Sequence, residues 1–123
     1  GVFDLNAIPD TLPALSVAAA FAEGDTILEN VEQARIKETD RIKVMRENLN
    51  QLGVEAEERR DALIVHGKGS VKGGKAKGYG DHRVIMALAI LGTKTEEKTE
   101  IDDVSAASVT FPTFFDLLEK LEK

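Results

Sequence analysis

The order of apolar and polar residues predicts a chain in which strands alternate with helices. Residues 14–22 and 84–91 are almost entirely apolar and rich in alanine, as in helices that are buried on most sides. Between them, a predicted helix begins near Glu38, ends at Gly53 and carries apolar residues at intervals of three and four, at Ile42, Met45, Leu49 and Leu52. We also predict a last helix over residues 112–121.

Short stretches around these helices predict strands. They lie at residues 2–5, 26–31, 54–57, 62–66 and 99–102. These strands are more polar than the two alanine-rich helices, which reverses the usual layering of a sheet buried between helices. We therefore expect an α/β fold whose helices point inward and whose sheets lie outside, built from a repeated unit.

The segment Arg35-Ile36-Lys37-Glu38-Thr39-Asp40-Arg41 places three cations and two carboxylates at the start of the middle helix. The free N–H groups and partial positive charge of a helix N-terminus attract anions, and Lys37 and Arg41 would strengthen that attraction. Glu38 places a carboxyl group beside any anion bound there. The same residues also suit ordinary helix capping and solvated surface charge, so the segment alone leaves both interpretations open.

Two other helix starts carry similar groups. Asp81 is a plausible N-cap, and Arg83 follows it in the first helical turn, as Arg41 does on its own helix. Arginines at two helix starts suggest a joint grip on one carboxylate or phosphate. Asp10 lies at the start of the first helix, which Gly24 is predicted to end, and by itself Asp10 is most simply an ordinary cap.

Residues 66–80 are rich in glycine and lysine and nearly match a phosphate-binding loop. Four residues separate Gly69 from Gly74 and Lys75, but Ala76 stands where that motif requires a magnesium-binding Ser or Thr. We therefore predict a flexible, solvated connection here.

Composition narrows the classes of function. The formal net charge of −6 argues against general nucleic-acid binding, and no apolar run is long enough to cross a membrane. Cysteine is absent, which excludes disulfides and thiolate metal sites, and we expect a cytoplasmic protein. His66 and His82 are too far apart in sequence to suggest a local metal pair.

Four motifs occur in an order that resembles one enzyme family. They are Asn6-Ala7-Ile8-Pro9-Asp10, the segment from Arg35 to Arg41, Gly80-Asp81-His82-Arg83 and Thr110-Phe111-Pro112-Thr113-Phe114-Phe115. Together they closely resemble the C-terminal part of the 5-enolpyruvylshikimate-3-phosphate synthases, over nearly all 123 residues. The motifs at residues 37–41 and 81–83 distinguish that family from the UDP-N-acetylglucosamine enolpyruvyl transferases, which share its fold.

The resemblance implies an inside-out α/β barrel built from βαβαββ units with inward helices, of which this chain would hold about two-thirds of one domain. Residues 1–66 would form one nearly complete unit of the C-terminal domain, and residues 75–123 part of another. The implied reaction transfers the enolpyruvyl group of phosphoenolpyruvate to the 5-hydroxyl of shikimate 3-phosphate, without metal or organic cofactor. An N-terminal domain outside this sequence would complete the site, so we expect the chain alone to be inactive.

The resemblance also implies roles for individual residues. Asp10 would be the general base that accepts the proton of the 5-hydroxyl, and Glu38 would deliver or remove the C3 proton of phosphoenolpyruvate. Arg41 and Arg83 would grip the carboxylate of phosphoenolpyruvate. Lys37 would contact shikimate 3-phosphate.

Two positions depart from the family pattern. Many members have a lysine before the Thr-Phe-Pro motif where this chain has Val109, so we leave Val109 out of the site. Gln33 stands where some members have an asparagine that contacts shikimate 3-phosphate, and it is a further candidate for that contact. Two other hypotheses remain: a non-catalytic anion-binding or folding module, and a relative of the UDP-N-acetylglucosamine enolpyruvyl transferases.

Overall fold

The computed structural model describes residues 1–103 and 106–111, with side chains described up to residue 102. The helices in this part of the chain are α1 (Leu12–Phe21), α2 (Arg41–Gln51) and α3 (His82–Gly92). The strands are β1 (Val2–Asp4), β2 (Glu23–Glu29), β3 (Glu55–Arg59), β4 (Ala62–Lys68), β5 (Lys75–Lys77), β6 (Thr99–Asp103) and β7 (Ala106–Phe111). Short 3₁₀ helices at Pro9–Thr11 and Glu32–Ile36 precede α1 and α2.

The strands form two sheets. The first has the order β1-β2-β4-β3, in which β1 runs parallel to β2 and β4 pairs antiparallel with both of its neighbours. The second has the order β5-β6-β7, with β5 parallel and β7 antiparallel to β6. The order β5-α3-β6 therefore repeats the first three steps of β1-α1-β2-α2-β3-β4, including the parallel pairing of the two strands that flank the helix.

The helices form the centre of the molecule, as the polarity of the sequence predicted. All three helices contact one another, and each also contacts at least one strand. Along β3 and β5 exposed and buried positions largely alternate, because only one face of each sheet meets the helices. The fully buried side chains include the four predicted on one face of α2, namely Ile42, Met45, Leu49 and Leu52.

The outer face of α3 differs from the prediction of a helix buried on most sides. Leu88 and Leu91 are fully buried, but Met86 is 67% exposed and Ile90 is 53% exposed. In the described part of the chain these two side chains are left outside the core because α1, α2 and β6 pack on the opposite face of α3.

Two helix boundaries were predicted a few residues away from their observed positions. The first helix ends at Phe21, and Gly24 lies within β2 with a φ of 107°. The middle helix begins at Arg41 instead of near Glu38, because the side chain of Asp40 caps it by accepting a hydrogen bond from the N–H of Lys43 at 3.1 Å.

The stretch predicted to be a flexible connection contains β5. Its main chain pairs with β6, and the buried side chain of Asn48 in α2 holds the N–H and C=O of Lys77, each at 2.9 Å. Val71, in the same stretch, is fully packed in the core. A strand begins at Lys75 in place of the helix that a nucleotide-binding loop would require there, in agreement with the prediction that this stretch is not such a loop. The helix predicted over residues 112–121 lies outside the described residues.

Candidate active site

Arg41 lies at the centre of a cluster of charged side chains at one end of the helices. It is the first residue of α2, and only 4% of its side chain is exposed. Its Nε donates to Oδ2 of Asp81 at 2.9 Å and its Nη2 to Oδ1 of Asp81 at 3.2 Å. On the other side, Nη1 donates to Oδ1 of Asp10 at 3.0 Å and Nη2 donates to Glu38.

The charge of Arg41 is fixed by these partners. Burial alone would lower the pKa of Arg41, but the hydrogen bonds and negative charges of Asp81, Glu38 and Asp10 outweigh burial and raise it above its usual value. The guanidinium therefore stays protonated throughout the physiological range of pH.

Asp81 is the fully buried partner of Arg41. It also caps α3, since its Oδ1 accepts from the N–H of Arg83 at 3.1 Å and of Val84 at 3.4 Å. The hydroxyl of Thr39 donates to its Oδ2 at 2.8 Å. Burial alone would raise the pKa of Asp81, but the hydrogen bonds from Arg41 and Thr39 outweigh burial, so its pKa lies below the usual value.

Asp10 joins the remaining cations to the cluster. It belongs to the 3₁₀ helix before α1, and its Oδ1 lies 3.8 Å from Nζ of Lys37. Its Oδ2 lies 3.9 Å from Nη2 of Arg83, in the first turn of α3. The structure therefore brings Asp10, Lys37, Glu38, Arg41 and Arg83 together, because the segments that open α1, α2 and α3 meet at one edge of the molecule. The side chains of Asp10, Glu38 and Arg83 are 46%, 67% and 57% exposed, so this edge is open to solvent.

Gln33 lies apart from this cluster. Its Nε2 donates to the carbonyl of Asn6 at 3.0 Å, and it lines a shallow hollow together with Asn30, Arg35 and Ile36. Among the described residues, no hydrogen bond or ion pair joins Gln33 to the five clustered side chains. Gln33 would thus contact a ligand only at the margin of the site.

Arg35, although it belongs to the same charged segment, has a structural role. Its guanidinium donates to Asp40 and Glu58, both at 2.9 Å, and to the carbonyls of Arg59 and Arg60 at 2.6 and 2.7 Å. It therefore braces the turn between β3 and β4 against the start of α2, away from Arg41.

Asp81 and Thr39 are the members of the cluster that the sequence did not identify as site residues. Asp81 was predicted only as a cap, and its contact with Arg41 joins residues that are 40 positions apart. Asp81 lies two residues before Arg83 at the start of a helix, and this position could have identified it as a member of the site.

The part of the chain that the structure describes shows neither a metal site nor a membrane-spanning helix. No group of three or more His, Asp or Glu side chains there is arranged to hold a metal ion. None of the described helices has the length and apolar character that crossing a bilayer would require.

Solved structures with the same arrangement of elements are enolpyruvyl transferases. An EPSP synthase from Acinetobacter baumannii matches with a TM-score of 0.71 and 36% identity over 76% of this chain and 22% of its own length. The enolpyruvyl transferase NikO from Streptomyces tendae matches with a TM-score of 0.55 and 15% identity, which is a likeness of fold alone. The inside-out α/β fold is thus that of the enolpyruvyl transferases.

Within that class, a family model described as EPSP synthase (3-phosphoshikimate 1-carboxyvinyltransferase) matches residues 2–118. The chain belongs to the EPSP synthase family. Curated proteins named 3-phosphoshikimate 1-carboxyvinyltransferase are 53% identical over 117 residues in Acetivibrio thermocellus and 42% identical over 118 residues in Persephonella marina. The matched regions make up 95% and 96% of this chain but only 27% of each relative, so the chain spans about a quarter of their length.

Proposed function

We propose that this chain supplies one wall of the active site of a 3-phosphoshikimate 1-carboxyvinyltransferase. That enzyme would transfer the enolpyruvyl group of phosphoenolpyruvate to the 5-hydroxyl of shikimate 3-phosphate and release inorganic phosphate. The observation that carries the proposal is the convergence of the charged residues at one edge of a chain of this family. These residues are Asp10, Lys37, Glu38, Arg41 and Arg83.

The cations would bind the two anionic substrates. Arg41 and Arg83 would hold the carboxylate of phosphoenolpyruvate, because a planar guanidinium can donate two parallel hydrogen bonds to a carboxylate. Asp10 and Glu38 accept hydrogen bonds on the solvent-facing side of Arg41, so a bound carboxylate would take the place of one of them. Lys37 would contact shikimate 3-phosphate, with Gln33 as a further contact at the margin.

The carboxylates would transfer protons. Glu38 would protonate C3 of phosphoenolpyruvate, which leaves C2 cationic, while Asp10 would accept the proton of the 5-hydroxyl as its oxygen bonds to C2. The tetrahedral product of this addition would then lose phosphate from C2, which takes up the proton held by Asp10, and a proton from C3, which regenerates the double bond and reprotonates Glu38. Each step uses only proton transfer and fixed charge, without a metal or organic cofactor.

The rest of the enzyme would come from sequence equivalent to the other three quarters of its relatives. We propose that residues 1–66 form one repeat unit and residues 75–123 part of a second, both in the C-terminal domain. An N-terminal domain would close over the exposed edge and complete the site. We further propose a cytoplasmic location, which the cysteine-free sequence favours.

Steady-state measurement of phosphate release by the full-length protein tests the proposal. We expect Arg83→Ala to raise KM for phosphoenolpyruvate about 10- to 100-fold, the loss expected for hydrogen bonds between charged groups. Arg60→Ala is the matched control, because Arg60 is exposed and pairs only with Glu32 at 3.0 Å among the described salt bridges. Equal kinetic constants for the two variants, or a wild-type protein that releases no phosphate, would contradict the proposal.

Two further measurements separate the alternatives. A non-catalytic anion-binding module would bind phosphoenolpyruvate without turnover, whereas we expect turnover by the full-length protein and none by the 123-residue chain alone. Replacing shikimate 3-phosphate by UDP-N-acetylglucosamine as acceptor should abolish phosphate release. Transfer to the UDP-sugar would instead favour the related class, although the family match favours the shikimate substrate.

A further inference from the structure

We propose that Asp81 is a positioning residue, which holds the guanidinium of Arg41 so that Arg41 and Arg83 meet at the same ligand carboxylate. The identity of that ligand rests on the function proposed above. The positioning role of Asp81 does not rest on that function, because it is inferred from the contacts that the buried carboxylate makes within this chain.

Asp81 determines which edge of Arg41 faces the ligand. A guanidinium has two edges that can each donate two hydrogen bonds to one carboxylate. Asp81 accepts from Nε and Nη2, which form one edge, at 2.9 and 3.2 Å. The other edge, Nη1 and Nη2, faces the exposed carboxylates of Asp10 and Glu38. A substrate carboxylate can therefore bind Arg41 only through this second edge.

The carboxylate of Asp81 also holds the main chain at Arg83, the second arginine of the cluster. Oδ1 of Asp81 accepts from the main-chain N–H groups of Arg83 and Val84 and thereby sets the first turn of α3. Oδ2 also accepts from the hydroxyl of Thr39, in the segment before α2. One fully buried group thus ties the start of α2 to the start of α3, and its lone pairs are all used by these two elements.

The main chain before Asp81 is held in an uncommon conformation. Tyr79 has a φ of 55°, in the left-handed region that residues other than glycine seldom adopt, and Gly80 follows with a φ of 73°. The N–H of Asp81 donates to the carbonyl of Gly78 at 3.1 Å and closes this turn. Strained backbone of this kind persists where the surrounding structure requires one placement of a side chain.

The first test compares Asp81→Asn with Asp40→Asn in the full-length protein. Asn caps a helix as well as Asp does, so both variants keep their caps, but only Asp81→Asn removes the buried anionic partner of Arg41. We expect Asp81→Asn to raise KM for phosphoenolpyruvate about 10- to 100-fold, with KM for shikimate 3-phosphate changed by less than about twofold. Asp40→Asn should change neither constant by more than about twofold. Equal effects of the two variants would overturn the inference.

A double-mutant cycle tests whether Asp81 acts through Arg41. In an Arg41→Ala background, Asp81→Asn should change KM for phosphoenolpyruvate by less than about twofold, because the group that it positions is already absent. If the two effects multiply instead, Asp81 acts by another route and the inference is wrong.

Thermal unfolding of the same variants tests the pairing without any turnover. Arg41→Ala leaves the buried carboxylate of Asp81 without its cation, and Asp81→Asn in the same chain removes that unpaired charge. The double variant should therefore melt at a higher temperature than Arg41→Ala alone. A double variant that melts no higher contradicts the inference, whereas a stable wild-type protein without enolpyruvyl transfer contradicts only the proposed function.

Discussion

At the scale of single residues, each charge near the core is balanced by a partner of opposite sign. Arg41 is buried, and a buried cation without carboxylate partners would be strongly unfavourable. Asp81, Asp10 and Glu38 provide that balance, and Asp10 and Glu38 remain exposed. The buried carboxylate therefore supports the arginine, and the exposed ones are those to which the proposed function assigns proton transfer.

His66 is a second residue whose charge depends on its neighbours. Its Nδ1 lies 2.6 Å from Asp25 and its Nε2 lies 2.7 Å from Glu57, so the imidazole bridges β2, β4 and β3. These hydrogen bonds, that to Asp25 first, raise the pKa of His66 from 6.5 to about 9. Because the folded-state pKa is the higher one, the bridge stabilises the fold fully below pH 6.5 and loses this effect as pH rises through about 9.

We therefore predict that His66→Gln lowers the free energy of unfolding more at low pH than at high pH. The difference between wild type and variant, measured by urea unfolding of the full-length protein, should be largest near pH 6 and should disappear above about pH 9. Other titrating groups are common to both proteins and cancel in this difference. A difference that is constant over this range would show that His66 contributes only by packing.

The residues of the candidate site could be identified from the sequence only as far as local motifs reach. Charged residues at helix starts are typical of anion-binding sites, and this pattern identified Arg41, Arg83 and Glu38 as candidates. The distinction between Arg35, which braces a turn, and Arg41, which lies at the centre of the charged cluster, depends on contacts with distant strands and helices. Single-sequence patterns do not contain those contacts.

At the scale of elements, α2 connects the edges of the two sheets. Asn50 accepts from the N–H of Ala56 in β3 at 2.8 Å and donates to its C=O at 3.2 Å. Asn48 holds the N–H and C=O of Lys77 in β5 in the same way. Each asparagine thus takes the place of a neighbouring strand and satisfies main-chain groups that an open sheet edge would leave unpaired.

We predict that Asn48→Ala destabilises the protein more than Asn50→Ala. Asn48 is buried, so water replaces its two hydrogen bonds to Lys77 less readily, and we expect a cost of about 1–3 kcal/mol. Asn50 is exposed, and water can replace its bonds, so we expect less than about 1 kcal/mol. Urea unfolding measures both, with Lys43→Ala on the exposed face of α2 as the control. If both variants lose the same free energy of unfolding, the contact of α2 with β5 contributes no more to stability than its contact with β3.

The close contact between β4 and the end of α1 leads to a further prediction. A Cβ added at Gly67 would lie 2.1 Å from the carbonyl oxygen of Ala22 and 2.3 Å from that of Ala19. Main-chain atoms cannot move aside cheaply, so Gly67→Ala should cost about 1–3 kcal/mol of stability. The adjacent Lys68→Ala, at an exposed position, should be nearly neutral in the same thermal unfolding experiment. A stable Gly67→Ala variant would show that α1 and β4 can separate.

The fold was largely predictable from the sequence, because apolar helices and polar strands leave few ways to bury the core. The inward helices followed from the polarity of the helices and strands, and the strands β3 and β4 and the buried face of α2 followed from residue spacing. The strand β5 was not predicted, since Lys75-Ala76-Lys77 is short, lacks β-branched and aromatic residues, and is held by β6 and by Asn48. β7 was missed as well. Tertiary contacts determine whether such short segments form strands.

At the scale of the whole molecule, the outer face of α3 is among the apolar surfaces that the described residues leave exposed. Met86 and Ile90 project from α3 on the side opposite to the buried Leu88 and Leu91. The helices elsewhere in the molecule bury their apolar faces against each other, and the relatives are almost four times as long as the matched region. We infer that further helices, from sequence outside these residues, pack on this side of α3 and continue the inward-helix arrangement.

This inference makes a prediction about the full-length protein. If Ile90 is buried there, Ile90→Lys should lower the free energy of unfolding by about 2 kcal/mol or more, because a charged group replaces a buried apolar one. Lys94→Gln, a substitution at an exposed position just beyond the same helix, is the control and should change the free energy of unfolding by less than about 0.5 kcal/mol. Chemical unfolding compares the two variants. If Ile90→Lys is as stable as the control, this side of α3 faces solvent in the complete protein and the inference is wrong.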